Sequence, residues 1–169
     1  MNERKTELPL EQQEHLEELS SETIAYDDLS RRAVRSLIFH LLYAMDSFDY
    51  QESLDALVDN FNRGFDLDIP AHCQVVEIAR AIIDNRDQID ETYKDYLANW
   101  RFDRIGVATK LILRFATWEL KNTDTDPRIV INEAVELAKA FAEKDAYRFI
   151  NGILDRLVKK PEQPVSEEQ

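Results

Sequence analysis

The chain has 169 residues, 44% apolar and 33% charged, with a formal net charge of −13, a size and composition that suit one globular domain or two very small ones. No apolar run reaches the ~18–20 residues that span a bilayer, and the acidic start MNERKTELPLEQQEHLEELSSE has no apolar signal-peptide core, so the chain is expected in the cytoplasm. The single cysteine, Cys73, excludes an internal disulfide, and His15, His40 and His72 lack metal-ligand spacing, so neither a metal nor another cofactor is expected.

The acidity is unevenly spread. Residues 1–29 hold nine acids and two bases, and residues 161–169 hold three acids and no base, so −10 of the −13 lies in the two ends and −3 on residues 30–160. A net charge of this sign argues against nucleic acid as a partner only if it is uniform. The near-balanced middle leaves room for a local basic surface. Glycine occurs only at positions 64, 106 and 152, and no run alternates apolar and polar residues, so an all-α fold without a sheet is predicted.

Residues 1–29 are expected to form an acidic, flexible extension, with Leu8, Leu10, Leu16, Leu19 and Ile24 sufficient for at most a short helix. The first domain helix is predicted over 30–46. Ser30 is its N-cap, and Val34, Ile38, Leu41 and Met45 form its apolar stripe. A second helix is predicted over 51–62, and RGFDLDIP breaks it. The third is predicted over 70–93, opened by Pro70, whose missing N–H costs nothing in a first turn. Residues 96–106 read as a short helix and a bend, and 106–120 as a long helix carrying Arg114 within the apolar run LILRFA. A mostly buried arginine there needs a carboxylate or carbonyl partner, so Arg114 is expected to be structural.

After the loop KNTDTDP, Pro127 opens a helix with the stripe Ile131, Ala134, Val135, Ala138 and Phe141. AEKDA then permits a break, with Asp145 as N-cap candidate for a last helix through Tyr147, Ile150, Leu154 and Leu157. Gly152 lies inside that helix, where glycine costs roughly 1 kcal/mol relative to alanine. Two explanations are open: a close helix–helix contact, which is favoured, or local fraying at Asn151 and Gly152. Glu133 and Glu136 lie near Arg128, Lys139 and Arg148 and are expected in surface ion pairs. Residues 161–169, PEQPVSEEQ, read as a disordered acidic tail.

Three blocks carry a family resemblance. RIVINEAVELAKAFAEKDAYRFINGILDRL is similar to the C-terminal signature of the NusB family of bacterial transcription antitermination factors. NWRFDRIGVATKLILRFATWEL resembles the signature just upstream, and SRRAVRSLIFHLLYAMD the N-terminal arginine-rich helix. The blocks come in family order and cover about residues 30–158. The resemblance implies about six or seven helices in two packed three-helix subdomains over residues 30–160. It also implies a non-enzymatic function: binding of boxA-type single-stranded RNA together with NusE, a small-subunit ribosomal protein, and support of ribosomal RNA transcription within the RNA polymerase antitermination complex.

Carried over residue by residue, the resemblance places Arg31, Arg32 and Arg35 in the RNA-binding motif of the first helix. Arginine suits that role, because its planar fork grips phosphate and stacks on bases. On a helical wheel Arg32, Arg35, Phe39 and Tyr43 share a strip away from the apolar stripe, which is the alternation of cations and aromatics that single-stranded RNA favours. The opposing explanation buries Phe39 and Tyr43 against a neighbouring helix. Phe141, Asp145 and Phe149 fall in the family's RNA-contacting region, with Arg148 among them. Core packing and a helix cap are their plainer roles. Tyr43 matches a NusE-contacting tyrosine. Thr109 stands where many members carry an acid on the NusE surface, and His40 where a glutamine is frequent.

Two further expectations follow from these departures. The acidic extension, lying directly before the arginines, would fold over them and compete with RNA. A NusB-fold adaptor without boxA binding, or a homodimer that covers the arginine surface, is the alternative function. With no glycine-rich cofactor loop in the chain, an enzyme is not expected.

Overall fold

The computed structural model describes residues 25–97 and 100–159. Among these there are seven α-helices, two short 3-10 turns and no strand. The predicted tail at 161–169, and the extension up to residue 24, lie outside the described residues.

The helices are α1 (Arg31–Ser47), α2 (Leu54–Phe65), α3 (Gln74–Asp84), α4 (Arg86–Lys94), α5 (Val107–Asn122), α6 (Pro127–Phe141) and α7 (Ala146–Lys159). Their starts follow side-chain chemistry. The Ser30 and Ser53 hydroxyls accept the N–H groups of Ala33 and Ala56, each at 3.1 Å. The Asp126 carboxylate accepts the Arg128 N–H at 2.8 Å, with Pro127 in the first turn. Each satisfies a donor that a helix start leaves without a partner.

The single helix predicted over 70–93 is two. Pro70 lies in the preceding loop, which Asn62 pins by accepting the Ile69 N–H at 2.9 Å and donating to the Ile69 carbonyl at 3.1 Å. Cys73 takes the N-cap position instead. At Asn85 the backbone leaves helical geometry, and its side-chain amide donates to the Ala81 carbonyl at 2.8 Å, closing the end of α3. The segment predicted as a short helix before α5 contains a 3-10 turn, Phe102–Arg104.

Helices α1, α2 and α3 pack on one another, and so do α5, α6 and α7; α4 rests on α3 and α5, and the halves meet where α1 and α3 cross α5. Helix α5 is buried around nearly its whole circumference, from Ala108 and Thr109 through Leu111–Thr117 to Glu119. That marks it as the central helix on which the others bury their apolar stripes. Ile38, Leu41, Met45, Val75, Ile82, Ile150 and Leu154 belong with its apolar residues to one continuous core.

Arg114 is structural, as the apolar run around it implies. Its guanidinium forks onto Asp90 of α4 at 2.9 and 2.7 Å and donates to the Tyr50 hydroxyl at 2.9 Å. The Tyr93 hydroxyl donates to Asp90 at 2.7 Å, and that of Tyr50 to Asp46 at 3.1 Å. Burial opposes charge on Arg114, but Asp90 holds its pKa above the ordinary value; burial pushes the Tyr93 hydroxyl well above its own. The network ties α4, α5 and the α1–α2 turn together.

Gly152 does not mark a close helix contact. A Cβ there would meet nothing within 4 Å, and α7 runs unbroken through it. The crowded glycine is Gly106, at the start of α5, where a Cβ would overlap the Glu143 carboxylate.

Residues 25–29 belong to the fold rather than to a free extension. Tyr26 packs against the core, and its hydroxyl accepts the Val75 N–H at 3.4 Å.

Candidate nucleic-acid interface

The three arginines at the start of α1 meet different surroundings. Arg31 is exposed and has no ion-pair partner among the described residues. Arg32 keeps 67% of its side chain exposed while forking onto Glu133 of α6 at 3.1 and 3.3 Å. Arg35 is only 12% exposed and is bound through two nitrogens to Glu119 of α5, itself 11% exposed. Arg35 therefore holds α1 to α5 and is not a free cation. Glu133 pairs with Arg32 across helices, and not with Arg128; Glu136 pairs with Lys139 at 3.3 Å.

One turn further on, the helical-wheel strip needs correction. Phe39 is 3% exposed, stacked on Phe141 with ring centroids 5.0 Å apart at 20°. Its ring has no face left for a base. The wheel missed this because Phe141, at the end of α6, reaches over that face of α1. Phe141 covers Phe39 and is itself exposed, as is Tyr43. His40 meets Phe141 edge-on at 4.8 Å, held by a 2.6 Å contact between its Nδ1 and the Ser36 carbonyl. The exposed aromatic surface here is thus Phe141 and Tyr43.

The α6–α7 turn supplies the rest. Asp145 adopts a left-handed backbone, with φ of 65°, immediately before α7, and its carboxylate lies 3.9 Å from Arg148. Arg148, 72% exposed, donates to the Tyr147 hydroxyl at 3.1 Å and lies against that ring, as does Lys139. Phe149 is half-buried and packs on Trp100 at 5.2 Å, and Trp100 is 62% exposed.

Trp100 and Phe149 stand in a groove of about 540 Å³ with Arg104, Lys144, Arg148, Asp145 and Glu143 around them. Aromatic faces flanked by exposed cations suit unpaired bases and their phosphates. Trp100, Arg104 and Lys144 were not singled out from the sequence. A tryptophan and two arginines within the short polar segment NWRFDR were the available signal.

Thr109 also needs correction. It is 3% exposed, so it presents no surface to a partner. Its hydroxyl donates to the Glu143 carboxylate at 2.7 Å. A negative charge therefore does stand over this position, supplied from the α6–α7 turn. Sequence position alone gives no sign of it, because 34 residues separate the pair.

No group of three or more metal-ligating side chains occurs among the described residues, and none of their helices is long and apolar enough to cross a membrane.

The NusB family model matches residues 32–159. Transcription antitermination protein NusB of Staphylococcus carnosus is 34% identical over 130 residues, covering 76% of this chain and 99% of that protein. The protein of the same name from Desulfovibrio desulfuricans is 37% identical over 140 residues, covering 77% and 85%. Among solved structures, T. maritima NusB matches with a TM-score of 0.67 at 30% identity, over 78% of this chain and 92% of that one. With its all-α architecture of seven helices among the described residues, the chain belongs to the NusB family.

Proposed function

We propose that the chain is a transcription antitermination factor that binds boxA-type single-stranded RNA together with NusE and supports ribosomal RNA transcription. The NusB family is one of non-catalytic adaptors, and the chain is not an enzyme. The observation that carries the RNA reading is the Trp100–Phe149 pair, exposed in a groove bordered by Arg104, Lys144 and Arg148. RNA would run from this groove past Tyr147 and Phe141 toward Arg32 and Arg31. Arg35 and Phe39 support that surface from beneath. The NusE surface would centre on Tyr43 and would adjoin the RNA groove at the Glu143 carboxylate above Thr109.

Replacing Trp100 by alanine removes a stacking face worth ~1–3 kcal/mol, so boxA affinity should fall by roughly one to two orders of magnitude. Arg148→Ala should weaken binding and flatten its salt dependence. Arg35→Ala should instead lower the unfolding midpoint, because Glu119 is left without its partner. Titration of labelled RNA beside denaturant unfolding separates these effects. Unchanged affinity in both Trp100→Ala and Arg148→Ala would remove the groove from the RNA path.

A further inference from the structure

A second groove, of about 560 Å³, lies on another side of α1, between α1, α3 and α5 and below the α5–α6 loop. Its lining is partly apolar, with Leu29, Val34, Ile78, Trp118 and Ile129, and partly polar, with Gln74, Thr123, Thr125 and Arg31. Arg35 and Glu119 also line it, but they neutralise each other. Arg31 is therefore the cation that the groove offers to an occupant.

We propose that residues 14–24 of the same chain occupy this groove and cover Arg31. The consequence for RNA rests on the function proposed above. Three observations favour this occupant over a separate molecule.

First, the chain enters at the groove. Leu29 is part of its wall, and Tyr26 is bonded to Val75, next to the lining residue Gln74. A tethered segment competes at an effective concentration in the millimolar range. Second, the segment EHLEELSSETI matches the groove in character. Leu16, Leu19 and Ile24 suit the apolar part of its lining, and Glu14, Glu17, Glu18 and Glu22 offer carboxylates to Arg31. Third, its length suffices. Eleven residues reach up to about 36 Å when extended, which spans a groove of this size from an anchor at Leu29.

While seated, the segment withholds Arg31 from RNA phosphate and sets four carboxylates beside the path to Arg32. Binding is weakened by the fraction of time the groove is filled. A groove filled nine-tenths of the time weakens apparent affinity by at most about tenfold.

The test uses the full-length chain and the full-length variant Leu16→Ser/Leu19→Ser, observed through the methyl resonances of Ile78 and Ile129. These methyls are expected to differ between the two chains, to be independent of protein concentration, and in the variant to move toward wild type when a peptide of residues 14–24 is added. RNA affinity at low salt is expected to rise in the variant, by up to about tenfold. Identical methyl spectra would overturn the docking. Wild-type shifts that grow with concentration would overturn it in favour of a second copy. Docking with unchanged RNA affinity would overturn the competition alone. If neither chain binds RNA, the proposed function fails, while the methyl spectra still decide the docking.

Discussion

Gly106, Thr109 and Glu143 meet at the start of α5. The glycine leaves the space that the Glu143 carboxylate fills, and the buried threonine hydroxyl donates to it at 2.7 Å. Acid at a helix N-terminus is favourable, because the first N–H groups have no helical partner. Thr109→Val keeps the shape of the side chain and removes the donor. It should cost about 1 kcal/mol, as for a single hydrogen bond to an accessible acceptor. Glu143→Ala should cost a similar amount, and the double variant little more than either. A double-mutant cycle in urea checks this; strictly additive losses would mean that the pair does not interact.

At the same scale, some side chains were legible from sequence and some were not. Arg114 announced its partner by lying in an apolar run, although Asp90 as the partner did not. Phe39 misled because a helical wheel describes one helix and cannot show that Phe141 of α6 stacks on it. Glycine in a helix predicted contact at residue 152, yet the contact was at residue 106, where a helix begins.

Elements were mostly readable because caps and apolar stripes are local. Ser30 and Pro127 begin their helices by nearby chemistry, and the break between α6 and α7 falls within AEKDA, whereas the start of α2 lies three residues beyond the predicted one, after Ser53. The break at Asn85 was hidden, because the apolar spacing continues across it and α3 ends in a local change of backbone geometry at Asn85, whose side chain turns back to Ala81. How α4 is fastened was equally hidden, since it depends on the fork of Arg114 onto Asp90 across 24 residues. Arg114→Met should cost about 3–5 kcal/mol, because it leaves a buried carboxylate unpaired. Arg114→Met/Asp90→Leu should regain much of that loss, since an apolar pair replaces the ion pair without burying charge. Equilibrium urea unfolding of the three proteins reads both numbers. A double variant no more stable than Arg114→Met would show that the network contributes more than charge pairing.

Across the whole molecule, charge separates the ends from the middle. The −13 total would argue against RNA, but −10 of it belongs to residues 1–29 and 161–169. The surface proposed for RNA carries Arg31, Arg32, Arg104, Lys144 and Arg148, interleaved with Glu133, Glu143 and Asp145. Such a mixed surface makes few phosphate contacts, so binding alone should be weak and a partner surface beside Tyr43 should matter. The family's blocks were readable as sequence, whereas the groove that joins Trp100 to Phe149 depends on the packing of distant segments.

The most direct measurement is the affinity of a boxA-type RNA, with and without NusE, at two salt concentrations. With NusE, binding should be tight and should fall with a log–log salt slope of about −2, as expected for roughly three phosphate contacts on a single strand; without NusE it should be markedly weaker. No RNA binding under any condition, with NusE still captured, would contradict the RNA-binding account and leave a NusB-fold protein adaptor.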